Sequence, residues 1–340
     1  MSARVIAGPS DGVSAQQRRD SALARRRTHP ISSPRGVLMR THPEQRPPIR
    51  PHQRSPSAPI HTDVLQQIGL RHPRVQQVRD VINNAGPNHR RLLVAEGLWA
   101  HNVVLDLGAP IDTFLWCPEA SYSDEALVRS AEVVARARNA YRISPTVMAR
   151  ICERERPDGM VSLVALPSWD HAAMSFGPDA LVLVADAIEI PGNLGTLLRT
   201  LDACGADCLV LTNRRTRLTH PKVFRGSRGM NLRVPTVEFE SPDLAVDWLV
   251  TNGFTVHLAT VGNGAAGYGD VAFGGRTALV VGNERYGISR PWLSYGFSEV
   301  TVPMHGRADS LNVSVSASIL LYEIRRHQMS CGDPAYRTKH

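Results

Sequence analysis

An arginine within an apolar helical segment is the first residue whose setting suggests chemistry. Arg199 follows Asn193 by six residues, and leucines occupy most of the neighbouring positions. A guanidinium is costly to bury unless an anion faces it, and its planar fork matches the oxygens of a phosphate group. Arg199 is therefore a candidate phosphate-binding residue. The alternative is an arginine that simply faces solvent.

Two further polar loops follow apolar runs that look like strands. The loop at 282–288 places Glu284 between two glycines, and the loop at 303–312 carries Ser310 and Asn312 at a predicted helix start. Asn193 is likewise expected to cap its own helix. Loops that follow parallel strands gather at one edge of the sheet, where ligands of α/β proteins bind. We therefore expect the three segments to form one cleft.

The elements that must position these loops alternate between strands and helices. From residue 180 onward, Val- and Leu-rich runs separated by helical segments predict a parallel sheet covered on both faces. The region 61–166 alternates in the same way, beginning with predicted helices over 63–70 and 73–83. The predicted division is a disordered basic tail (1–60), a small α/β domain (61–166), a linker (167–179), a larger α/β domain (180–330) and a C-terminal tail (331–340).

Charge and composition narrow the class of protein. The chain has 340 residues and a net charge of +8, and residues 1–60 carry that whole excess through eleven arginines and three acidic residues. An arginine-rich tail fits a polyanion as partner, although it could equally be a solvated extension. The absence of a long apolar run and of a signal-peptide core predicts a cytoplasmic protein without a membrane partner. The five scattered cysteines suggest reduced thiols and no metal site.

The three loops resemble the conserved blocks of the SpoU/TrmH branch of the SPOUT RNA methyltransferases, which includes rRNA methyltransferases of the thiostrepton-resistance type. The first block has the pattern Asn-x-Gly-x-x-x-Arg, the second Gly-x-Glu-x-x-Gly, and the third a Pro-Met followed by Ser-Leu-Asn-Val-Ser-Val. In this sequence they are matched, in order, by Asn193, Gly195 and Arg199; by Gly282, Glu284 and Gly287; and by Pro303, Met304 and residues 310–315.

The resemblance implies a SPOUT-type parallel sheet with a C-terminal trefoil knot, preceded by an L30e-like domain that binds the RNA substrate. It implies S-adenosylmethionine as cofactor, a homodimer whose active site draws on both chains, and methyl transfer to a ribose 2′-hydroxyl of RNA. Ribosomal RNA, and 23S rRNA in particular, is favoured over tRNA because an L30e-like domain accompanies many members that act on rRNA. A tRNA methyltransferase and a non-catalytic RNA-binding or ribosome-assembly factor are the alternatives.

The same resemblance assigns roles to individual residues. The family gives the activation of the hydroxyl to the arginine matched by Arg199. Because a guanidinium is normally protonated, we favour a version in which Arg199 grips the adjacent phosphate and lowers the cost of ionising the hydroxyl. The residues expected to orient the reactants are Asn193, Glu284, Ser310 and Asn312. Those expected to bind the cofactor, chiefly through backbone groups, are Thr260, Gly282, Asn283, Val302, Met304 and Leu311.

Basic residues elsewhere are candidates for RNA contact. Lys222, Arg225 and Arg228 lie in a basic segment where the family places residues that face RNA, and Arg90 and Arg91 precede a strand of the smaller domain. A solvated basic face is the alternative for both groups. The segment 262–267 matches the Gly-x-Gly-x-x-Gly fingerprint of nicotinamide-dependent oxidoreductases, but no helix is predicted to follow it, so we interpret it as a flexible loop.

Overall fold

The computed structural model describes residues 65–152, 158–262 and 264–332. The predicted disorder of residues 1–60 lies outside them, as do residues 333–340 of the predicted C-terminal tail. Among the described segments, every helix is too short or too polar to span a lipid bilayer. The described residues also contain no cluster of His, Cys, Asp and Glu side chains that could hold a metal ion.

The first unit is a four-stranded sheet in the order β1-β4-β2-β3, with helices against it. Strand β4 is antiparallel to both β1 and β2, whereas β2 and β3 are parallel. Ser123 and Ser144 cap α3 and α4 as Ncap residues, which their positions in the sequence predict. In chain order the unit contains α1 (Pro73–Asn83), β1 (Leu92–Glu96), α2 (Gly97–Asp106), β2 (Ile111–Trp116), α3 (Asp124–Arg136), β3 (Asn139–Arg142), α4 (Pro145–Ile151) and β4 (Met160–Ala165).

The helix predicted over 63–70 is wrong for the residues that the structure describes. Residues 65–70 instead run beside the edge of the first sheet, where Gln67 forms a parallel bridge with Arg142. The amide of Ile68 donates to the Arg142 carbonyl at 2.9 Å, and the Arg142 amide donates to the Gln66 carbonyl at 3.0 Å. An unpaired edge of β3 offers hydrogen bonds to an extended segment, and so short a helix has little stability of its own to compete with them.

The second unit is a seven-stranded sheet in the order β7-β6-β5-β10-β8-β11-β9, and all of its strand pairs are parallel. Alternate residues of β5, β6 and β10 face two separate buried clusters. Helices α5 and α9 cover one face, and α7 and α8 the other. Its elements are β5 (Leu181–Asp186), α5 (Pro191–Ala203), β6 (Cys208–Thr212), α6 (Pro221–Gly226), β7 (Thr236–Glu238), α7 (Pro242–Thr251), β8 (Thr255–Ala259), β9 (Ala266–Gly267), β10 (Thr277–Val281), α8 (Arg290–Leu293), β11 (Ser298–Thr301) and α9 (Val313–Gly332).

The sequence predicts the central strands of this sheet but not its edge strand β9. The very short strand β9 is not among the predicted elements, and it is formed by the last two residues of the glycine-rich segment at 262–267. A single 3₁₀ turn, Tyr268–Asp270, comes next. Among the described residues, no α-helix opens after this segment, so the helix that a dinucleotide fingerprint requires does not form there. The flexible loop stays a prediction, and the last two residues of the segment pair with β11 as a strand.

Direct contacts join the two units. The guanidinium of Arg217 donates to the carbonyls of Val81 (2.8 Å) and Ile82 (3.2 Å) and to the side chain of Asn84, and so caps the C-terminal end of α1 from the other unit. A cation at this end of a helix is favourable because the last carbonyls point towards it. Burial lowers the pKa of Arg217. One buried apolar cluster runs through both units, so their relative placement is tied to the core.

A buried histidine in the first unit gives a test of the fold by pH. His101 is fully buried on α2; one ring nitrogen, Nδ1, lies 2.8 Å from the Gly97 carbonyl and the other, Nε2, 2.8 Å from the Ser162 hydroxyl. A carbonyl can only accept, so Nδ1 carries the proton of the neutral ring. Burial lowers the pKa of His101 from 6.5 to about 4.

Acid should therefore destabilise the protein through this side chain. Between pH 6.5 and pH 4 the unfolded chain binds a proton at His101 that the folded chain does not. The contribution of neutral His101 to the free energy of unfolding is therefore fully present above pH 6.5. It should fall by about 3 kcal/mol as the pH drops towards 4. Urea unfolding across this range should show that His101→Gln removes the component. The same change at exposed His89 is the matched control, and equal acid sensitivity of the two variants would refute the assignment.

Candidate active site

The three polar loops meet at the carboxyl ends of β5, β8, β10 and β11, around a cavity of about 820 Å³. The expectation of a single cleft is confirmed. The candidate residues that line it are Asn193, Thr260, Gly282, Asn283, Glu284, Ser310, Leu311 and Asn312. Val302 and Met304 line an adjoining recess of about 50 Å³ that shares Thr260, Ser310 and Leu311 with the main cavity. Arg199 is the candidate that the structure does not bring to either wall.

A chain of side-chain hydrogen bonds ties the three loops together. The Asn193 amide donates to the Glu284 carboxylate at 2.8 Å, and the Asn312 amide donates to the Asn193 carbonyl oxygen at 3.0 Å. Asn312 in turn accepts from the amide (2.9 Å) and hydroxyl (2.6 Å) of Ser314, and so caps α9. One residue from each loop therefore fixes its neighbour in a relay Glu284–Asn193–Asn312. Ser310 lies outside the relay, and its hydroxyl donates to the Asp309 carboxylate at 3.3 Å.

Glu284 also replaces the side-chain cap that α5 lacks. The helix begins at Pro191, so the prediction that Asn193 is its Ncap is wrong: proline takes the first helical position and Ile190 precedes it. The Glu284 carboxylate accepts from the amides of Glu189 and Ile190, both at 3.1 Å, beside the positive end of the helix. Burial acts to raise the pKa of Glu284, but the hydrogen bonds from Asn193 and these amides outweigh it and hold the pKa below its ordinary value.

The loop after β10 folds back on itself, and two of its residues allow this. The backbones of Asn283 and Gly287 exchange reciprocal hydrogen bonds of 2.9 Å. The Asn283 side chain accepts from the amides of Arg285 and Tyr286 and donates to the Ala187 carbonyl at 2.9 Å. A Cβ atom at Gly282 would lie 2.1 Å from the carbonyl carbon of Gly287. A side chain at position 282 would therefore prevent the loop from closing.

The other glycine of interest serves helix packing rather than a ligand. A Cβ at Gly195 would lie 2.9 Å from both the Cα of Gly226 and the Val223 carbonyl oxygen, so α5 and α6 touch backbone to backbone there. Gly195 of the first motif therefore allows two helices to approach each other closely. Any larger residue would push α5, with its Asn193, away from α6.

Arg199 lies on the exposed side of α5, nearly two turns beyond Asn193. The next residue, Thr200, contacts α9, where its hydroxyl lies 3.0 Å from that of Ser318. Among the described residues, no carboxylate forms an ion pair with Arg199. The guanidinium is therefore free to meet an anion from outside its own chain.

Comparison with known proteins covers the region that contains the three loops. The model of the SpoU rRNA methylase family matches residues 180–322. The Bacillus subtilis 23S rRNA (guanosine(2553)-2'-O)-methyltransferase RlmP is 34% identical over 185 residues, which are 54% of this chain and 72% of that protein. The Streptomyces viridochromogenes 23S rRNA (uridine(2479)-2'-O)-methyltransferase is 28% identical over 277 residues, covering 79% of this chain and 95% of that protein. The chain belongs to the SpoU rRNA methylase family.

Solved structures agree with this family assignment. The AdoMet-bound rRNA methyltransferase from Sinorhizobium meliloti superposes with a TM-score of 0.69 at 25% identity, covering 77% of this chain and 98% of that one. The match therefore takes in the small N-terminal unit as well as the larger sheet. The expected class of fold, a mostly parallel α/β sheet of the SPOUT type, is confirmed.

The basic candidates of this SpoU-family chain fall into two groups. Lys222 and Arg228 are exposed on and after α6, and Arg225 between them is half-buried. In the first unit, Arg90 pairs with the buried carboxylate of Asp112 at 2.5 Å, which gives it a structural partner. Arg91 has a φ of 49° and lines a crevice between the units with Arg214 and Arg217. RNA contact by these residues stays a prediction.

A buried carboxylate that the sequence interpretation missed anchors the site from behind. Asp186 ends β5 with no exposed surface, and its oxygens accept from the Thr212 hydroxyl (2.9 Å), the Asn213 amide (2.8 Å) and the backbone amide of Ser289 (2.8 Å). It thereby joins β5, β6 and the segment that follows the Glu284 loop. An aspartate at the end of the apolar run Leu-Val-Leu-Val-Ala-Asp was the signal that could have found it.

Asp186→Asn should destabilise the protein without adding bulk. The amide cannot accept from three donors as the carboxylate does, and its own N–H groups would face one of them. The free energy of unfolding, measured in urea at pH 7, should fall by about 2 to 4 kcal/mol. Asp106→Asn is the matched control because Asp106 is exposed at the end of α2. A loss at position 186 no larger than that of the control would contradict the anchoring role.

Proposed function

We propose that this chain transfers the methyl group of S-adenosylmethionine to a ribose 2′-hydroxyl of RNA, and that the RNA is 23S rRNA. The observation that carries the proposal is the cavity at the strand ends, where residues of three separate loops meet through the relay Glu284–Asn193–Asn312. Family membership, the two relatives named as 23S rRNA 2'-O-methyltransferases and the AdoMet-bound neighbour support it.

The cavity suits this cofactor in size and in the chemistry of its wall. Its volume of about 820 Å³ lies within the roughly 300–1,000 Å³ of small-molecule sites. Ile190, Val261 and Leu293 give it an apolar rim, and each is between 43% and 70% exposed. The folded loop at 282–287 adds backbone N–H and C=O groups, which can recognise adenine and ribose. When bound, S-adenosylmethionine supplies an electrophilic methyl group on a sulfonium.

The residues of the chain then have to hold the ribose and help its hydroxyl lose a proton. Glu284 is ill suited to take that proton, because its carboxylate already accepts from three donors that favour the charged form. It orients Asn193 and the start of α5 instead. Arg199 grips the phosphate next to the target ribose, so that its positive charge lowers the cost of the developing oxyanion. Ser310 and Asn312 line the same cavity.

Arg199 does not line the cavity of its own chain, but a homodimer would bring it to the cavity of the partner subunit. The exposed apolar residues Val315, Tyr322 and Met329 are spaced seven apart on α9, with 47%, 53% and 55% of their surfaces exposed. Such a stripe on one side of a helix is typical of a surface that another copy covers. In this proposal the partner subunit covers the stripe, and Arg199 of each chain serves the cavity of the other. The trefoil knot and the L30e-like identity of the first unit stay predictions from the resemblance.

The proposed reaction can be tested with purified protein and labelled cofactor. Wild-type protein incubated with methyl-labelled S-adenosylmethionine should label 23S rRNA extracted from cells that lack the gene, and should leave tRNA unlabelled. Gly282→Val should weaken cofactor binding by about tenfold or more in calorimetry, because the side chain would collide with the loop backbone that closes the site. Gly177→Val is the control, since the space at exposed Gly177 is open. Labelling of tRNA alone, or no transfer to RNA, would overturn the proposal.

Arg199→Ala should abolish methyl transfer while cofactor affinity stays within a few-fold of wild type. Mixing this variant with Gly282→Val tests whether the arginine acts across the dimer. The assay uses a cofactor concentration that occupies the intact cavity but not the Gly282→Val cavity. Each mixed dimer would hold one intact cavity facing one intact Arg199, so an equal mixture should then recover about one quarter of wild-type activity. An arginine that acts within its own chain would give no recovery. Normal turnover by Arg199→Ala alone would remove this residue from the mechanism.

A further inference from the structure

A second cavity, of about 380 Å³, lies between the two units and shares no wall with the candidate active site. One wall is formed by β1 and the start of α2, and the other by α6 and the turn that follows it. Neither unit alone could form it. Its volume falls within the roughly 300–1,000 Å³ of small-ligand sites, and it is open to solvent on the side where Arg228 is exposed.

Aromatic rings and guanidinium groups form the chemically distinctive part of this cavity. The Trp99 ring is half-buried and lies 5.7 Å from the Phe224 ring, tilted by 49°. The guanidinium of Arg228 lies over the Trp99 ring, 4.2 Å from its centroid. Arg225 is a further lining residue. Stacked aromatic and guanidinium planes are the surfaces on which proteins hold unstacked nucleobases.

The backbone holds Arg228 in this position at a local cost. Its φ is 56°, in the left-handed region that residues with a Cβ rarely adopt, and Gly229 follows with a φ of 82°. A Cβ at Gly229 would lie 2.4 Å from the side chain of Val103, so this turn is pressed against the first unit. The packing of the two units therefore fixes the left-handed turn, and the turn directs the guanidinium over Trp99.

We propose that this cavity binds one unstacked nucleobase of the RNA substrate, stacked against the Arg228–Trp99 pair, at a distance from the nucleotide that is methylated. The proposal rests on the chain acting on RNA. Its chemistry fits RNA because the rings of Trp99 and Phe224 offer aromatic surface to a base, while Arg225 and exposed Lys222 supply positive charge for the flanking phosphates. A protein partner would make no specific use of a guanidinium held over an indole ring.

Arg228→Lys tests stacking separately from charge. Lysine keeps the positive charge but has no plane to stack, so the KM for 23S rRNA should rise about fivefold or more. The value of kcat at saturating RNA and the Kd for S-adenosylmethionine should stay at wild-type values. Arg215→Lys is the matched control, because Arg215 is an exposed arginine that does not line this cavity. Thermal melting of both variants checks that the fold is kept.

A binding measurement without catalysis separates this proposal from the proposed reaction. Oligouridylate or oligoadenylate added to the wild-type protein should quench tryptophan fluorescence in a saturable way, and Trp99→Phe should lose most of that quenching. If the wild-type protein methylates no RNA but Trp99 is quenched, the proposed function fails and the base site stands. If methylation proceeds and Arg228→Lys has the same KM for RNA as Arg215→Lys, the base site is refuted and the Arg228–Trp99 pair serves only to join the units.

Discussion

The candidate site depends on one short relay of hydrogen bonds from Glu284 through Asn193 to Asn312. Each residue belongs to a different segment of the chain: Asn193 lies in the first turn of α5 after β5, Glu284 in the loop after β10, and Asn312 at the start of α9 after β11. Irregular loops have no ladder of their own to hold them, so their side chains must supply the connection. The relay does this and also satisfies amides at the start of α5 that would otherwise lack an acceptor. Loss of any member would therefore separate loops as well as remove a polar group from the wall.

The relay can only form because the backbones around it come unusually close. Gly195 lets α5 contact α6 at Gly226, and Gly282 lets its loop close on Gly287. On the far side, Asp186 joins β5 and β6 to the end of that loop. These glycines and this carboxylate make no contact that needs a ligand. They stabilise the backbone arrangement in which the relay forms. The same short motifs therefore contain residues that shape the backbone as well as residues that line the cavity.

The sequence was most informative where local pattern and tertiary environment agree. The strands Ile111–Trp116 and Thr277–Val281 form where mainly apolar runs of the sequence predict strands, and both lie inside their sheets, away from the edges. The helix expected over 63–70 fails because the partner that competes for those residues, the edge of β3, is distant in sequence. The gathering of three loops into one cavity was predictable from the parallel topology. The anchoring role of Asp186 is harder to predict, because its place after an apolar run is a local signal that does not show the three donors around its carboxylate.

Helix α6 explains how the two units can act as one despite being separate sheets. Gly226 lets one side of α6 contact α5 at Gly195. Phe224 on the helix and Arg228 after it both contact Trp99 of the first unit. Arg217, just before the helix, caps α1 from the same side. The element that fixes the position of the active-site helix is thus also the element that grips the smaller unit. A link of this kind ties the position of the junction to that of the cavity at the strand ends. If RNA contacts both, as we propose, its shape decides whether it can bind, because only a fold that spans the two can bring a ribose to the cavity.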